Sequence, residues 1–195
     1  MQELTKGQQL QQAYRQHIEP YTQWVQIAAT LTLKTSTKIR VKRYQNYGSD
    51  CYEFWEHLDE EKLGSRITYF TALLRHEIYG NQAKHKNKQH WATPLIVAAT
   101  EGRNTHKRVH IHLAIGNIPV EKLGEMDATI RRIWARCDFA NEQVCTKPVS
   151  NGRGWLGYLT KEVGYTDNDV IDIVSSTIPP FIQQRICTES RLLTA

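Results

Sequence analysis

The chain has 195 residues, 40% of them hydrophobic, with a formal net charge of +5 and a pI near 9.0. That length suits one domain with a real core. No stretch approaches the ~18 apolar residues of a membrane-spanning helix, and the N-terminus has no apolar signal core, so a soluble, cytoplasmic protein is expected. Cys51, Cys137, Cys145 and Cys187 contain no Cys-x-x-Cys pair, which argues against a zinc ribbon and against a disulfide framework.

Residues 1–20 are polar and Gln-rich and read as a short helix or arm at the periphery. From Trp24 to Lys34 the chain alternates, with Val25, Ile27, Ala29, Leu31 and Leu33 on one side and Gln26, Thr30 and Thr32 on the other, which predicts a strand. A basic, Tyr-containing stretch follows, holding Lys34, Lys38, Arg40, Lys42 and Arg43. From Cys51 to about Tyr79 the pattern reads as helical, carried by Ile67, Phe70, Leu73, Leu74 and Ile78. A polar loop with Lys86 and Lys88 comes next, then a strand-like run from Pro94 to Thr100 and a turn at Glu101-Gly102-Arg103-Asn104.

Val109-His110-Ile111-His112-Leu113-Ala114-Ile115 alternates strictly. As a strand it puts an apolar stripe on one face and two imidazoles on the other, roughly 6–7 Å apart. Pro119 opens a second predicted helix with Val120, Leu123, Met126, Ile130, Ile133 and Trp134 on its apolar side. Residues 142–147 read as a short strand, Asn151-Gly-Arg-Gly154 as a loop, and Trp155 to Val163 as a third helix carrying Tyr158 and Lys161 one turn apart. Beyond Pro179-Pro180 a short C-terminal element remains. The order of elements predicts an α+β fold in which an antiparallel sheet carries helices.

The chemistry concentrates in a few side chains. His110 and His112, with Glu101 nine residues before the first, form a mixed N/O donor set suited to Mn²⁺ or Mg²⁺. A phenol is a poor nucleophile at neutral pH, and a neighbouring ammonium together with a metal-polarised phosphate would favour its attack. The basic clusters, which include Arg103 and Arg108, suit phosphates, and Tyr44, Tyr47 and Trp91 beside them suit base stacking.

At these residues the chain resembles the HUH endonucleases. His110-Ile111-His112 is similar to their His-hydrophobic-His signature, and Tyr158-Leu159-Thr160-Lys161 to the Tyr-x-x-Lys motif of rolling-circle replication initiators, the Rep proteins of phages, plasmids and single-stranded DNA viruses. Ala29-Thr30-Leu31-Thr32-Leu33 resembles their first motif. The resemblance implies a ferredoxin/RRM-like fold with a five-stranded antiparallel sheet, in one domain spanning 1–195. The catalytic core would cover about 22–165, and 166–195 would form a C-terminal element.

It further implies that His110, His112 and Glu101 hold Mn²⁺ or Mg²⁺ and that Tyr158 attacks single-stranded origin DNA to leave a 5′-phosphotyrosine. The freed 3′-OH would prime a polymerase, and Lys161 would position the phosphate. Paired-tyrosine initiators carry two tyrosines on one helix, whereas here Tyr165 lies past Gly164, so a single-tyrosine enzyme is expected. The sequence holds no P-loop motif, so unwinding would fall to a host helicase. Alternatives are a single-tyrosine transposase or a relaxase of the same superfamily, a non-catalytic origin-binding module, and a metal hydrolase using bound water.

Overall fold

A computed structural model describes residues 4–45, 48–103, 107–165 and 170–193, with side chains described for all of these except 42–45, 48–50 and 189–193. Seven strands run β1 Val25–Leu33, β2 Ser36–Gln45, β3 Gly48–His57, β4 Leu95–Glu101, β5 His110–Gly116, β6 Ala140–Pro148 and β7 Ile171–Thr177. Six α-helices run α1 Lys6–Ile18, α2 Glu60–Tyr79, α3 Val120–Leu123, α4 Met126–Trp134, α5 Gly152–Leu159 and α6 Pro180–Leu193. Five strands form one antiparallel sheet in the order β6-β1-β5-β4-β7, and β2 and β3 pair as a separate hairpin. The fold is therefore α+β, with a five-stranded antiparallel central sheet and flanking helices.

Strand alternation sends side chains into two cores, one on each face. On one face Ile27, Ala29, Leu31, Ile111, Leu113 and Ile115 meet α2 and α4, where Phe70 and Trp134 pack edge to face at 5.7 Å. On the other, Val97, Ala99 and Ala114 meet Leu156 and Leu159 of α5, Ile18 of α1 and Ile182 of α6. His110 and His112 share the face of Ala114. Val25, expected on the stripe of Ile27, joins the second core, because β1 shifts register between these two residues.

Several elements differ from the sequence reading. β3 runs through residues 51–57, where a helix was expected to begin, and α2 starts at Glu60, where the Asp59 carboxylate caps the backbone N–H of Lys62 at 2.8 Å. Tyr52 and Phe54 on one side of β3, against Cys51, Glu53 and Trp55 on the other, give no apolar-polar contrast, so no alternation marks the strand. The segment after Pro119 is two helices, broken at Gly124 and Glu125, and Val120 is exposed. β7 has no counterpart among the predicted elements. Helix α5 begins at Gly152, with Asn151 capping the Gly154 N–H at 3.1 Å, and ends at Leu159. The N-terminal helix is not peripheral, since its Leu10, Tyr14 and Ile18 pack into the second core.

Among the described residues no helix is long and apolar enough to cross a membrane.

Candidate active site

β5 lies at the centre of the sheet, between β1 and β4. Register sets Thr30 and Ala99 opposite His112, and Thr32 and Glu101 opposite His110. Glu101 is the last residue of β4 rather than part of the turn, so the pleat fixes it on the histidine face. The left-handed turn behind it needs Gly102: its φ is +93°, and a Cβ there would lie 2.6 Å from the Arg108 carbonyl oxygen. The two imidazoles stack with centroids 6.3 Å apart and planes 10° from parallel.

His112 is nearly buried and held on both sides. Its Nδ1 is 2.9 Å from Thr30 Oγ1, and its Nε2 is 2.7 Å from Glu101 Oε2. Burial lowers the affinity of the ring for a proton despite the Glu101 carboxylate, so the imidazole is neutral. Burial alone would raise the Glu101 carboxyl. Hydrogen bonds from Lys161 and His112, contact with Glu162 and the Lys161 charge outweigh it and hold that carboxyl at about 2.

Helix α5 covers this face. Trp155 anchors it by donating its Nε1–H to the Leu113 carbonyl at 3.1 Å, and its ring stacks on Tyr158 at 5.1 Å. Tyr158 in turn stands edge-on to His112 at 5.3 Å. Lys161 lies in the turn after the helix rather than on it, yet its N–H bonds the Tyr158 carbonyl at 3.1 Å and folds it back over the tyrosine. Its Nζ sits 2.5 Å from the Tyr158 hydroxyl, 3.8 Å from that ring's centroid and 2.7 Å from Glu101 Oε2. Burial opposes its charge, but the Glu101 and Tyr158 contacts prevail and raise its proton affinity. The result is a continuous polar chain, Thr30–His112–Glu101–Lys161–Tyr158, buried at the histidine end and open at the phenol, which is 40% exposed.

Four contributors, Glu162, Lys107, Thr30 and Trp155, were not assigned to the site from the sequence. Glu162 follows Lys161, and Lys107 Nζ stands 3.9 Å from both Glu162 Oε1 and Glu101 Oε1, completing a charged rim. Thr30 and Trp155 orient the imidazole and the phenol. Trp155 at three residues before Tyr158 was the one legible clue, since that spacing stacks side chains on a helix.

Two imidazoles and a carboxylate on one face are the right donor chemistry for a hard divalent ion. His112 Nε2 and Glu101 Oε2 are 2.7 Å apart, close to the ~3 Å between neighbouring ligands of an octahedral ion with bonds of about 2.1 Å. Thr30 is placed to accept from Nδ1, the support a metal-binding His112 would use. Here that carboxylate oxygen serves His112 and Lys161 instead, and among the described residues no group of three or more His, Cys, Asp or Glu is arranged around a common ion position. The donor types suit such an ion, and Glu101 would bind one only with Lys161 moved off its oxygen.

The expected DNA contacts divide. Lys34 is exposed just past the end of β1 that carries Thr32, the partner of His110, and Lys38 and Arg40 are exposed on β2, while the side chains of Lys42 and Arg43 lie outside the described residues. Cross-strand Glu53 faces Arg40 and forms an ion pair with Lys38, so β3 offsets part of the charge of β2. Arg108 is exposed beside His110, and Arg103 lines a cavity of about 840 Å³ with Tyr14, Tyr69 and Asp172. Lys86 and Lys88 precede the start of β4, the end opposite Glu101, roughly 20 Å away at about 3.3 Å per residue.

No family model, curated protein or solved structure matches the chain.

Proposed function

We propose that the chain is a metal-dependent endonuclease that nicks and rejoins single-stranded origin DNA through a 5′-phosphotyrosine, in the manner of the rolling-circle initiators it resembles. One observation carries the reading: the phenol of Tyr158, from one motif, lies against His112, from another, with Lys161 bridging the hydroxyl to Glu101. A nucleophile, its cationic partner and a donor set for a metal thus share one sheet face.

In this reading the Tyr158 oxygen attacks phosphorus, the P–O3′ bond breaks, and the 3′-oxygen leaves as a free hydroxyl after taking up a proton. The phenol proton is lost to solvent, and joining is the reverse. Lys161, already at the phenol oxygen, offsets negative charge as the oxygen attacks. His112, locked by Thr30, and Glu101 would hold Mn²⁺ or Mg²⁺ together with His110. A bound ion would polarise the scissile phosphate. The 3′-OH would serve a host polymerase in the cytoplasm, with a host helicase separating strands.

The test uses a pool of random-sequence single strands with Mn²⁺. The wild-type chain is expected to give a covalent protein–DNA band on a denaturing gel, and Tyr158→Phe none. Cleavage that survives in Tyr158→Phe without an adduct would favour a water-using hydrolase, and binding with no cleavage a non-catalytic module.

A further inference from the structure

We infer that the N-terminal segment 5–24 is a positioning element for the tyrosine helix, acting on the turn between Tyr158 and Lys161 through Gln11 and Arg15. The inference rests on the nicking reading above.

The contacts converge on α5 from one direction. Gln11 Nε2 donates to the Thr160 carbonyl at 2.8 Å and lies 3.4 Å from the Lys161 carbonyl. These oxygens belong to the turn that follows α5, where the Thr160 carbonyl also accepts from the Val163 N–H at 3.2 Å. Arg15 Nε donates to Thr160 Oγ1 at 3.0 Å, and that hydroxyl donates to the Gly157 carbonyl at 2.9 Å. Thr160 is fully buried, flanked by the half-exposed functional pair. The turn that holds Lys161 over Tyr158 is thereby fastened to α1.

Both ends of the tyrosine segment are also pressed onto the N-terminal segment by backbone. A Cβ on Gly7 would stand 2.5 Å from the Gly164 carbonyl oxygen, and one on Gly164 would stand 2.4 Å from Gly7 Cα. At the other end, a Cβ on Gly152 would lie 2.1 Å from the Thr22 carbonyl oxygen. Glu19 pairs with Arg153 in the first turn of α5. Simple core packing asks for apolar side chains, which Leu10, Tyr14 and Ile18 supply. It does not ask for a glutamine and an arginine aimed at one buried threonine between the nucleophile and its cation.

The full chain is compared with Arg15→Ala, Gln11→Ala and Arg15→Lys, using random-sequence single strands with Mn²⁺ as probe. In Arg15→Ala the amides of 157–163 should exchange with deuterium faster, while those of β5 do not change. The single-turnover rate of adduct formation should fall roughly ten- to a hundredfold, the scale of a misplaced reacting group, with binding of the pool unchanged. Arg15→Lys keeps a cationic donor for Thr160 and should recover most of the rate. Gln11→Ala, which removes one hydrogen-bonding amide, provides a second reading if Arg15→Ala loosens the whole fold. If the wild type forms the adduct and both alanine variants match its rate, the inference is overturned and the nicking reading stands. Unchanged exchange at 157–163 overturns it as well. If the wild type forms no adduct, the nicking reading is what fails.

Discussion

The Lys161 ammonium stands 2.7 Å from Glu101 Oε2, the same carboxylate oxygen that accepts His112 Nε2. A divalent ion held by Glu101 and His112 would have to displace this lysine and approach a positive charge.

Lys161→Met should therefore bind Mn²⁺ more tightly than the wild type while attacking DNA more slowly. A gain of about tenfold corresponds to roughly 1.4 kcal/mol of competition removed. Titration followed by the electron paramagnetic resonance of free Mn²⁺ measures it. Weaker binding in Lys161→Met would show that the lysine supports the donor set instead of competing for it.

The same contact gives Glu101 a pH signature. Its carboxyl is held at about 2, below its ordinary 4.5, so ionised Glu101 stabilises the fold above the unfolded value. That contribution should be fully present near neutrality, decline as pH falls below about 4.5, and vanish below about 2. The interval corresponds to roughly 3 kcal/mol as a ceiling. Urea unfolding of wild type and Glu101→Gln across this range should show the difference in stability shrinking toward acid. A constant difference would mean that the carboxylate charge contributes nothing.

How much of this was legible in the sequence depends on where the information lies. β5 and most of β1 alternate cleanly because one side of each meets the α2–α4 core, and the buried residues of α2 and α4 recur at helical spacing. His110, His112, Tyr158 and Lys161 were visible as short local patterns. β2 and β3 were not, since side chains such as Trp55 and Phe54 are exposed on both faces of the hairpin. β7 hid for another reason: its partners for Ile96 and Ala98 are Thr177 and Asp172, so residues between them bulge out and expose Ile173 and Val174. Thr30, Glu162 and the N-terminal contacts act across elements, and no spacing along the chain encodes them.

The thiols test the packing around α4. Cys51, Cys145 and Cys187 are exposed, whereas Cys137 is buried behind α4 with its Sγ–H 3.6 Å from the Ile133 carbonyl. Burial pushes that thiol up to about 11, so it stays protonated and unreactive at neutral pH. A disulfide reagent at about pH 8, near the ordinary thiol range, should modify three cysteines at once and the fourth only in denaturant. Rapid reaction of all four would place Cys137 outside the core.

Gly102 is the hinge on which Glu101 and His110 meet. Any side chain there collides with the Arg108 carbonyl and must adopt a φ of +93°. Gly102→Ala should cost about 1–3 kcal/mol, seen as a lower midpoint in urea. It should also weaken Mn²⁺ binding, because the β4–β5 ladder ends at this pair. Gly124→Ala meets open space and serves as the control. Equal behaviour of the two variants would remove the turn from the account of the site.

The hairpin bears on how a strand of DNA would be gripped. Register puts Trp55 directly opposite Lys38, and Glu53 opposite Arg40, so the indole shares a face with both cations. Trp55 is 66% exposed, a costly position for so large an apolar surface unless something stacks on it. Single-stranded DNA offers a base for the indole and phosphates for the cations. Trp55→Ala should weaken binding of random single strands by about 1–3 kcal/mol and leave the urea midpoint unchanged. Lys38→Ala with Arg40→Ala should flatten the salt dependence instead, by about 0.7 in slope for each phosphate the protein no longer neutralises. Fluorescence anisotropy of a labelled pool, titrated at several salt concentrations, separates the two effects. If Trp55→Ala leaves affinity and salt slope at their wild-type values, the hairpin has no part in gripping the strand.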